Sequence, residues 1–151
     1  MKKTSRAEPP DRFSVKVNYN NVKRIVSADW IKRICNTIFD IEKESPRGDV
    51  SIVLVSDDYI SKLNKKFLNR DMPTDVLAFP MNEDEVWGEV YVSVDRAIEQ
   101  SEYYEVNVNM ELTRLVIHGI LHLLGYDDNQ TESKINMHKR EDFYIKKLNI
   151  N

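Results

Sequence analysis

This chain is short of cysteine, of long apolar runs and of positive charge, and each shortage argues against a class of protein. The one cysteine, Cys35, makes no intrachain disulfide, which fits a reducing cytoplasm. No apolar run approaches the roughly 20 residues that span a bilayer, and no hydrophobic region follows the basic N-terminus, so we expect neither a membrane protein nor a secretory signal. A formal net charge of −3 argues against a broad nucleic-acid-binding field, although it leaves room for a local basic groove.

The rest of the composition is typical of one globular domain. Of the 151 residues, 41% are hydrophobic and 31% are charged, and a chain of this length can bury a core. Residues 1–12 are polar, contain Pro9 and Pro10 and lack periodicity. We therefore predict a flexible N-terminal tail over residues 1–12 and a single domain over residues 13–151.

Hydrophobic patterning predicts an α+β fold with a small mixed sheet. Alternating or β-branched apolar runs indicate four strands, at residues 13–17, 50–55, 74–80 and 87–94. The third strand should stop at Pro80, with an acidic turn at 82–85 after it, and Gly88 indicates a bulge or a close backbone approach in the fourth. Apolar residues at helical spacing indicate five helices. Ser27 is the expected N-cap of the first, Asp57 or Asp58 of the second and Asp95 of the third, and the last two begin near Val108 and at Thr131.

Histidine is also scarce, yet two of the three histidines stand four residues apart in one apolar helical run. Because residues i and i+4 lie on the same helix face, the imidazoles of His118 and His122 can point at one spot. Gly125 offers a helix stop, and the turn through Asp127 and Asp128 can return a carboxylate to that spot. Two imidazole nitrogens and one carboxylate oxygen, with a fourth position open, form the ligand set of a catalytic metal ion.

A histidine pair at this spacing is by itself a weak signal, since helical histidines often bond only to local groups. The surroundings strengthen the signal. Leu115, Val116, Ile120 and Leu121 make the neighbourhood apolar, and an imidazole in such a place needs a partner. That partner is a metal ion, a carboxylate or a backbone carbonyl, and the residues alone leave the choice open.

Three blocks of the sequence resemble those of one known family. The first is His118 to Asp127 (HGILHLLGYD), the second is Leu63-Asn64 followed by Asp71 to Pro80 (DMPTDVLAFP), and the third is Gly88 to Ser93 (GEVYVS). Their order and spacing, from about residue 50 to about residue 145, are similar to those of the YbeY family. This is a family of metal-dependent endoribonucleases, also called ribosomal RNA maturation factors.

The resemblance implies a zincin-like α+β fold, with the helices around a four-stranded sheet, in a bacterial cytoplasmic protein. It implies a single-strand-specific endoribonuclease that acts in 3′-end maturation of the small-subunit (16S) ribosomal RNA and in ribosome quality control. Its partners would be ribosomal RNA, the small ribosomal subunit and other ribosome-associated proteins. The family's divalent metal ion, usually zinc, would be held by His118, His122 and Asp128.

One departure from the family pattern lies in the ligand set. Asp128 stands where most members have a third histidine, and Asp127 matches the aspartate just before that ligand, so Asp128 is the predicted ligand. A carboxylate still binds zinc at a normal distance. Its negative charge makes the site less positive, and its harder oxygen widens the choice of metal toward Mn²⁺, Fe²⁺ or Co²⁺.

A second departure concerns phosphate recognition. The family commonly has an arginine after the Leu63-Asn64 block that is thought to assist RNA cleavage, and Leu68 stands at that position here. Lys66 and Arg70 flank it, and Arg70 is the residue that we expect to steady the phosphate. His118 and Arg70 are therefore the predicted catalytic residues.

The predicted nucleic-acid-binding surface is a local basic run. Three of its residues share a helix face and the fourth follows the helix; they are Lys62, Lys65, Lys66 and Arg70. A solvated helix face explains the same residues equally well. Tyr91 and Trp87 are candidate stacking platforms for single-stranded RNA, although aromatic residues of strands more often belong to the core.

Two alternatives to an endoribonuclease stay open. One is a ribosome-assembly factor that binds RNA or protein, with a structural metal ion and little catalysis. The other is a metallopeptidase, which Gly119 disfavours because zinc proteases have a glutamate directly after the first histidine. The general base is unassigned among Asp75, Glu111 and Asp127. Arg114 is expected either to pair with Glu111, which is the favoured alternative, or to line the cleft.

Overall fold

The computed structural model describes residues 13–83 and 86–148. The predicted flexible tail, residues 1–12, and the end of the predicted acidic turn, residues 84–85, lie outside this part of the chain. Within it the elements follow in the order β1 (Val15–Tyr19), α1 (Ala28–Glu42), β2 (Asp49–Val55), α2 (Asp57–Leu68), β3 (Val76–Glu83), β4 (Val86–Ser93), α3 (Val94–Tyr104), α4 (Val108–Leu123) and α5 (Thr131–Lys147). Across these residues, none of the helices has the length and apolar character that a bilayer crossing requires.

The sheet is mixed, with strand order β1-β2-β4-β3. β1 and β4 flank β2 in parallel, with Ile52 between Val17 and Val90, whereas β3 runs antiparallel to β4 at one edge. Alternate residues of β2 enter the main core shared with α1 and α4, while Val55 packs with Ile60 of α2 in a smaller cluster. The α+β fold with a four-stranded mixed sheet and five helices, predicted from the sequence, is confirmed for the described residues.

α4 is the central helix of the fold. It contacts β3 and β4 and also α1, α3 and α5, so its residues from Leu112 to Leu123 are almost all buried. The two histidines occupy the strip that remains partly open, where the side chains of His118 and His122 are 19% and 29% exposed. An apolar helix fixed on nearly all sides therefore carries the candidate metal ligands.

Two glycines let α4 lie directly against the sheet. A Cβ on Gly119 would stand 2.4 Å from Cγ1 of Val90, and one on Gly88 would stand 2.9 Å from Cδ1 of Leu123. The pairing of β2 with β4 also shifts register just before Gly88. The predicted bulge and close backbone approach at Gly88 are thus both found, and the place of Gly119 against Val90 leaves no room for a protease-like glutamate.

Gly119→Ala is expected to lower the free energy of unfolding by about 2 kcal/mol, because the backbone or Val90 must move to admit a methyl group. The steric cost thus exceeds the roughly 1 kcal/mol that alanine gains over glycine from its higher helix propensity. Urea unfolding measures the change. The double variant with Val90→Ala should lose less free energy of unfolding than the two single variants lose in sum, because the smaller side chain makes room for the methyl group. Strictly additive losses would contradict the steric explanation.

Two strand boundaries differ from those predicted. β3 continues past Pro80 to Glu83, so the predicted stop and the turn beginning at residue 82 were wrong. Proline is tolerated there because β3 is an edge strand, and the pairing with β4 becomes irregular between Pro80 and Glu83. β1 begins at Val15 rather than at Phe13, which packs against Phe39 of α1 with ring centroids 4.8 Å apart.

The N-caps of α2 and α3 are serines, not the predicted aspartates. The hydroxyls of Ser56 and Ser93 each accept a hydrogen bond from the backbone N–H three residues further on. The aspartates join the two helix starts instead. Ser93 donates to Asp57 at 2.7 Å, and the backbone N–H of Asp57 donates to Asp95 at 2.8 Å. An aspartate in the first turn also interacts favourably with the helix dipole, which explains its place after the cap.

Candidate metal centre

The turn after α4 returns the chain to the two histidines. α4 ends two residues before Gly125, whose φ of 100° is a left-handed conformation that glycine adopts without strain. The backbone N–H of Tyr126 then donates to a carbonyl in the last turn of α4 at 3.0 Å. This reversal places Asp128 beside His118 and His122.

The three side chains converge on one point. The Nε2 atoms of His118 and His122 are 3.0 Å apart, and the carboxylate oxygens of Asp128 lie 3.6 Å and 3.7 Å from them. Ligands held about 2.1 Å from a tetrahedral ion stand about 3.4 Å from one another, so these donor atoms fit a divalent ion with little movement. The set leaves a fourth position for water or substrate.

Asp127 does not face this point. Its exposed carboxylate accepts a hydrogen bond from the backbone N–H of Asn129 at 3.3 Å, and the Ser133 hydroxyl together with this N–H lowers its pKa. These contacts belong to the turn that leads into α5. Of the two neighbouring aspartates, Asp128 is therefore the one that could complete a metal site.

Glu141, on α5, also belongs to the site, although it was not predicted from the sequence. It accepts a hydrogen bond from Nδ1 of His118 at 2.6 Å, and 7% of its side chain is exposed. This bond keeps the proton on Nδ1 and turns the lone pair of Nε2 toward Asp128. One signal was present in the sequence, because Glu141 interrupts the buried face of α5 between Met137 and Tyr144.

The two imidazoles have different electrostatic surroundings. Burial disfavours the charged form of both rings. At His118 the carboxylates of Glu141 and Asp128 outweigh burial and raise the pKa. At His122 burial and the neighbouring His118 lower the pKa against the attraction of Asp128. Since a proton on His118 competes with a metal ion for Nε2, metal affinity should fall at acidic pH.

The prediction that Arg114 pairs with Glu111 was wrong. The guanidinium contacts α5 instead, where Nη1 donates to Glu141 at 2.9 Å and Nη2 donates to Asp142 at 2.6 Å. Local helix spacing favoured the pair with Glu111, but the packing of α5 on α4 offers two closer carboxylates. Arg114 and Glu141 thus form a chain of charged contacts that ends at His118.

A second polar cluster holds the turn that carries Asp128. Glu42, at the end of α1, accepts hydrogen bonds from the hydroxyls of Tyr126 and Tyr144, and from Arg140 at 2.6 Å and 3.0 Å. Burial acts to raise the pKa of Glu42, but these donors outweigh it and the pKa is lowered. Because Tyr126 lies two residues before Asp128, the cluster ties the turn to α1 and α5.

Glu42→Gln is expected to lower the free energy of unfolding at neutral pH by about 2–3 kcal/mol, since a mostly buried charged acceptor is lost. The depressed pKa means that the carboxylate stabilises the fold above its ordinary pKa of 4.5 and loses this effect as pH falls through the lower folded-state value. The stability gap between parent and variant should therefore shrink in acid. Glu44→Gln, at an exposed position close by, should unfold like the parent in urea, and an equal loss in that variant would argue against the cluster.

A cleft of about 510 Å³ opens beside the candidate ligands. Residues of α3, α4 and α5 form most of its wall, and both His118 and Asp128 line it. Arg114 lines it too, which confirms the second alternative predicted for that residue. Two of the three candidate general bases, Asp75 and Glu111, also line the cleft, whereas Asp127 does not. The open position of the candidate metal site therefore faces a space large enough for part of a substrate.

The predicted nucleic-acid-binding residues lie outside the wall of this cleft. All four are exposed, on α2 and in the loop after it; they are Lys62, Lys65, Lys66 and Arg70. Leu68, at the position of the family arginine, is 47% exposed.

The predicted stacking platforms belong to packed clusters. Trp87 packs on Phe39 with ring centroids 5.5 Å apart. Tyr91 packs on Phe79 at 6.0 Å and donates to Glu89 at 3.1 Å. Their rings are therefore held within the fold.

Fold and site together define an α+β protein whose central helix and following turn could hold a catalytic divalent ion at the mouth of a cleft. Residues 13–149 match the family described as Endoribonuclease YbeY, and the chain belongs to that family. This confirms the resemblance drawn from the three sequence blocks. It also confirms, at the level of the family, the enzyme class predicted from the sequence.

Individual relatives agree with this assignment. The endoribonuclease YbeY of Carboxydothermus hydrogenoformans is 38% identical over 113 residues, which cover 73% of this chain and 79% of the relative. That of Chlorobium phaeobacteroides is 36% identical over 131 residues, which cover 86% of this chain and 94% of the relative. The solution structure of TM1509 from Thermotoga maritima superposes with a TM-score of 0.60 at 31% identity, covering 89% of this chain and 88% of that one.

Proposed function

We propose that this chain is a metal-dependent endoribonuclease that cleaves single-stranded RNA in 3′-end maturation of 16S ribosomal RNA and in ribosome quality control. The observation that carries the proposal is the convergence of His118, His122 and Asp128 at the mouth of a cleft, in a chain of this family. The proposed partners are ribosomal RNA, the small ribosomal subunit and ribosome-associated proteins, and the proposed location is the cytoplasm. The proposed catalytic domain is residues 13–151, which the family match over residues 13–149 supports.

The proposed cofactor is one divalent ion held by His118, His122 and Asp128, with Zn²⁺ as the first choice for two imidazoles and a carboxylate. When bound, such an ion supplies Lewis acidity, which lowers the pKa of a water molecule and polarises a phosphoryl oxygen. The protein orients the ligands in advance. Glu141 fixes the His118 ring, and the turn held by Tyr126 fixes the position of Asp128.

The basic run on α2 is proposed to attract the RNA backbone. Exposed cations bind phosphates without regard to sequence and speed the encounter with an anionic strand. Arg70 lies in the loop that leads to Asp75, a residue of the cleft wall, so a phosphate bound at Arg70 would lie on the approach to the cleft. Arg70 accordingly stays the residue proposed to steady the phosphate. His118 stays the other proposed catalytic residue.

A second candidate function is a ribosome-assembly factor that binds RNA or protein while the ion mainly stabilises the fold. Two observations favour it: Leu68 replaces the family arginine, and Arg70 is absent from the wall of the cleft. In that case the chain would bind ribosomal RNA fragments but leave them intact.

Cleavage of single-stranded fragments from the 3′ region of 16S ribosomal RNA tests the two candidates. The parent, loaded with Zn²⁺ or Mn²⁺, should cleave them, and His118→Ala should be slower by at least about 100-fold because a ligand is lost. Equal cleavage by both proteins would point to a contaminating nuclease. Binding without cleavage under every metal would overturn the enzymatic proposal in favour of the second candidate.

A further inference from the structure

The cleft continues along α4 away from the metal ligands, between the end of α3 and the first half of α5. Much of its wall there is apolar, formed by Val106, Met110, Leu115 and Met137. The carboxylate of Glu111 lies among these residues, seven positions before His118, and Asp75 lines the same cleft. That separation is about 10 Å along the helix axis, which is too far for direct proton transfer at the metal ligands.

Glu111 has no partner for its carboxylate in the described part of the chain. The residue is 5% exposed, yet its side chain makes neither a hydrogen bond nor an ion pair there. Arg114, one turn further along α4, pairs with Glu141 and Asp142 instead. Burial, together with the charges of Asp75 and Glu141, raises the pKa of Glu111 against the opposing effect of Arg114. The carboxylate therefore faces the cleft without a protein partner, and a ligand that donates a hydrogen bond to it there is favoured.

An exposed aromatic ring stands on the rim of the same cleft. Tyr104, the last residue of α3, lines the cleft and is 61% exposed. Tyr103, which lies outside the cleft wall, packs edge-on against the Tyr104 ring with centroids 5.1 Å apart. The next residue, Glu105, has a φ of 57°, which turns the chain so that Val106 joins the wall. A large aromatic face over an apolar pocket is the arrangement on which unpaired nucleobases stack.

We propose that this part of the cleft binds one unstacked nucleobase of a single-stranded RNA, stacked on Tyr104 and hydrogen-bonded to Glu111. The proposal rests on the proposed function, because it concerns the strand whose phosphate lies at the His118 end of the cleft. Lys134, an exposed residue of α5 that also lines the cleft, offers a cation to a neighbouring phosphate. The apolar wall of this part of the cleft packs against the flat face of the base.

Glu111 gives the pocket a preference among bases. A carboxylate only accepts hydrogen bonds, so it pairs with the exocyclic amino group of cytosine and meets the O4 carbonyl of uracil as a repulsive neighbour. Cytosine and uracil have nearly the same shape, so shape selection contributes little between them. We therefore expect a preference of about tenfold for cytosine over uracil at this position, in line with one hydrogen bond to a charged group.

Binding of fluorescein-labelled hexamers of cytidine and of uridine to the metal-loaded protein, measured by fluorescence anisotropy, tests the subsite. The parent should bind the cytidine hexamer about tenfold more tightly. Glu111→Gln should cut that preference to about twofold or less, because its amide both donates and accepts. Tyr104→Ala should weaken both hexamers by about tenfold while keeping their ratio. Tyr104→Phe, the matched control, keeps the ring and should bind like the parent.

The outcomes separate this subsite from the proposed function. If the parent cleaves RNA but binds both hexamers equally, the base preference is overturned and the nuclease stands. If Tyr104→Phe weakens binding as much as Tyr104→Ala, the stacking contact is overturned. If the parent neither binds nor cleaves any RNA, the proposed function itself fails. Unchanged metal content in Glu111→Gln confirms that this variant folds. Because Tyr104 is exposed, Tyr104→Ala should fold as well, and it tests the subsite independently.

Discussion

Asp128→Ala is expected to lose its bound divalent ion, whereas Asp127→Ala is expected to keep it. The carboxylate oxygens of Asp128 lie 3.6 Å and 3.7 Å from the two imidazole Nε2 atoms. The carboxylate of Asp127 accepts a hydrogen bond from the backbone N–H of Asn129 instead. Removing one of three ligands should lower metal affinity by at least about 100-fold, which is the upper end of what outer-sphere changes cost.

Elemental mass spectrometry on untagged protein, purified without chelator, measures this difference. His122→Ala should behave like Asp128→Ala, since it removes another ligand from the same point. Near-stoichiometric metal in the parent and in Asp127→Ala, with little in the other two, would also identify the ion. Metal retained by Asp128→Ala would refute the three-ligand assignment and shift support to a protein whose metal, if any, lies elsewhere.

The elements that could be predicted are those encoded by local spacing. The four-residue interval between the histidines, the glycine at the end of α4 and the β-branched run of β2 each have a short-range physical cause. Where predictions from local spacing were wrong, they misplaced a helix cap or the end of a strand and left the element itself correct. Serine took the caps of α2 and α3 because the aspartates after them bridge the two helices, and Pro80 was accommodated because β3 turned out to be an edge strand.

Contacts between distant elements could not be predicted in the same way. Glu141 meets His118 across 23 positions, and Arg140 meets Glu42 across 98. Such pairs depend on how α5 docks on α4 and α1, which no local pattern encodes. The pairing of Arg114 failed for this reason. Its partners lie on another helix, and Glu111, the partner favoured by local spacing, is left facing the cleft.

Glu141→Gln is expected to lower metal affinity by about 10- to 100-fold, although Glu141 touches no ion itself. Its carboxylate accepts a hydrogen bond from the Nδ1–H of His118 at 2.6 Å and so holds Nε2 in the orientation that a metal ion requires. A neutral amide holds the ring less firmly and removes the charge that stabilises a partly positive imidazole. Metal titration followed by calorimetry measures the loss of affinity.

Asp142→Asn is the matched control, because Asp142 pairs with the same Arg114 at 2.6 Å but makes no contact with His118. It should bind metal within about threefold of the parent, as expected for a half-exposed ion pair of small energetic weight. In the metal-free protein, the pKa of His118 followed by NMR should fall in Glu141→Gln and stay at the parent value in Asp142→Asn. Equal losses of affinity in both variants would mean that the Arg114 pairs, rather than the bond to His118, prepare the site. A loss confined to Glu141→Gln, with the matching fall in pKa, would establish that α5 orients a ligand carried by α4.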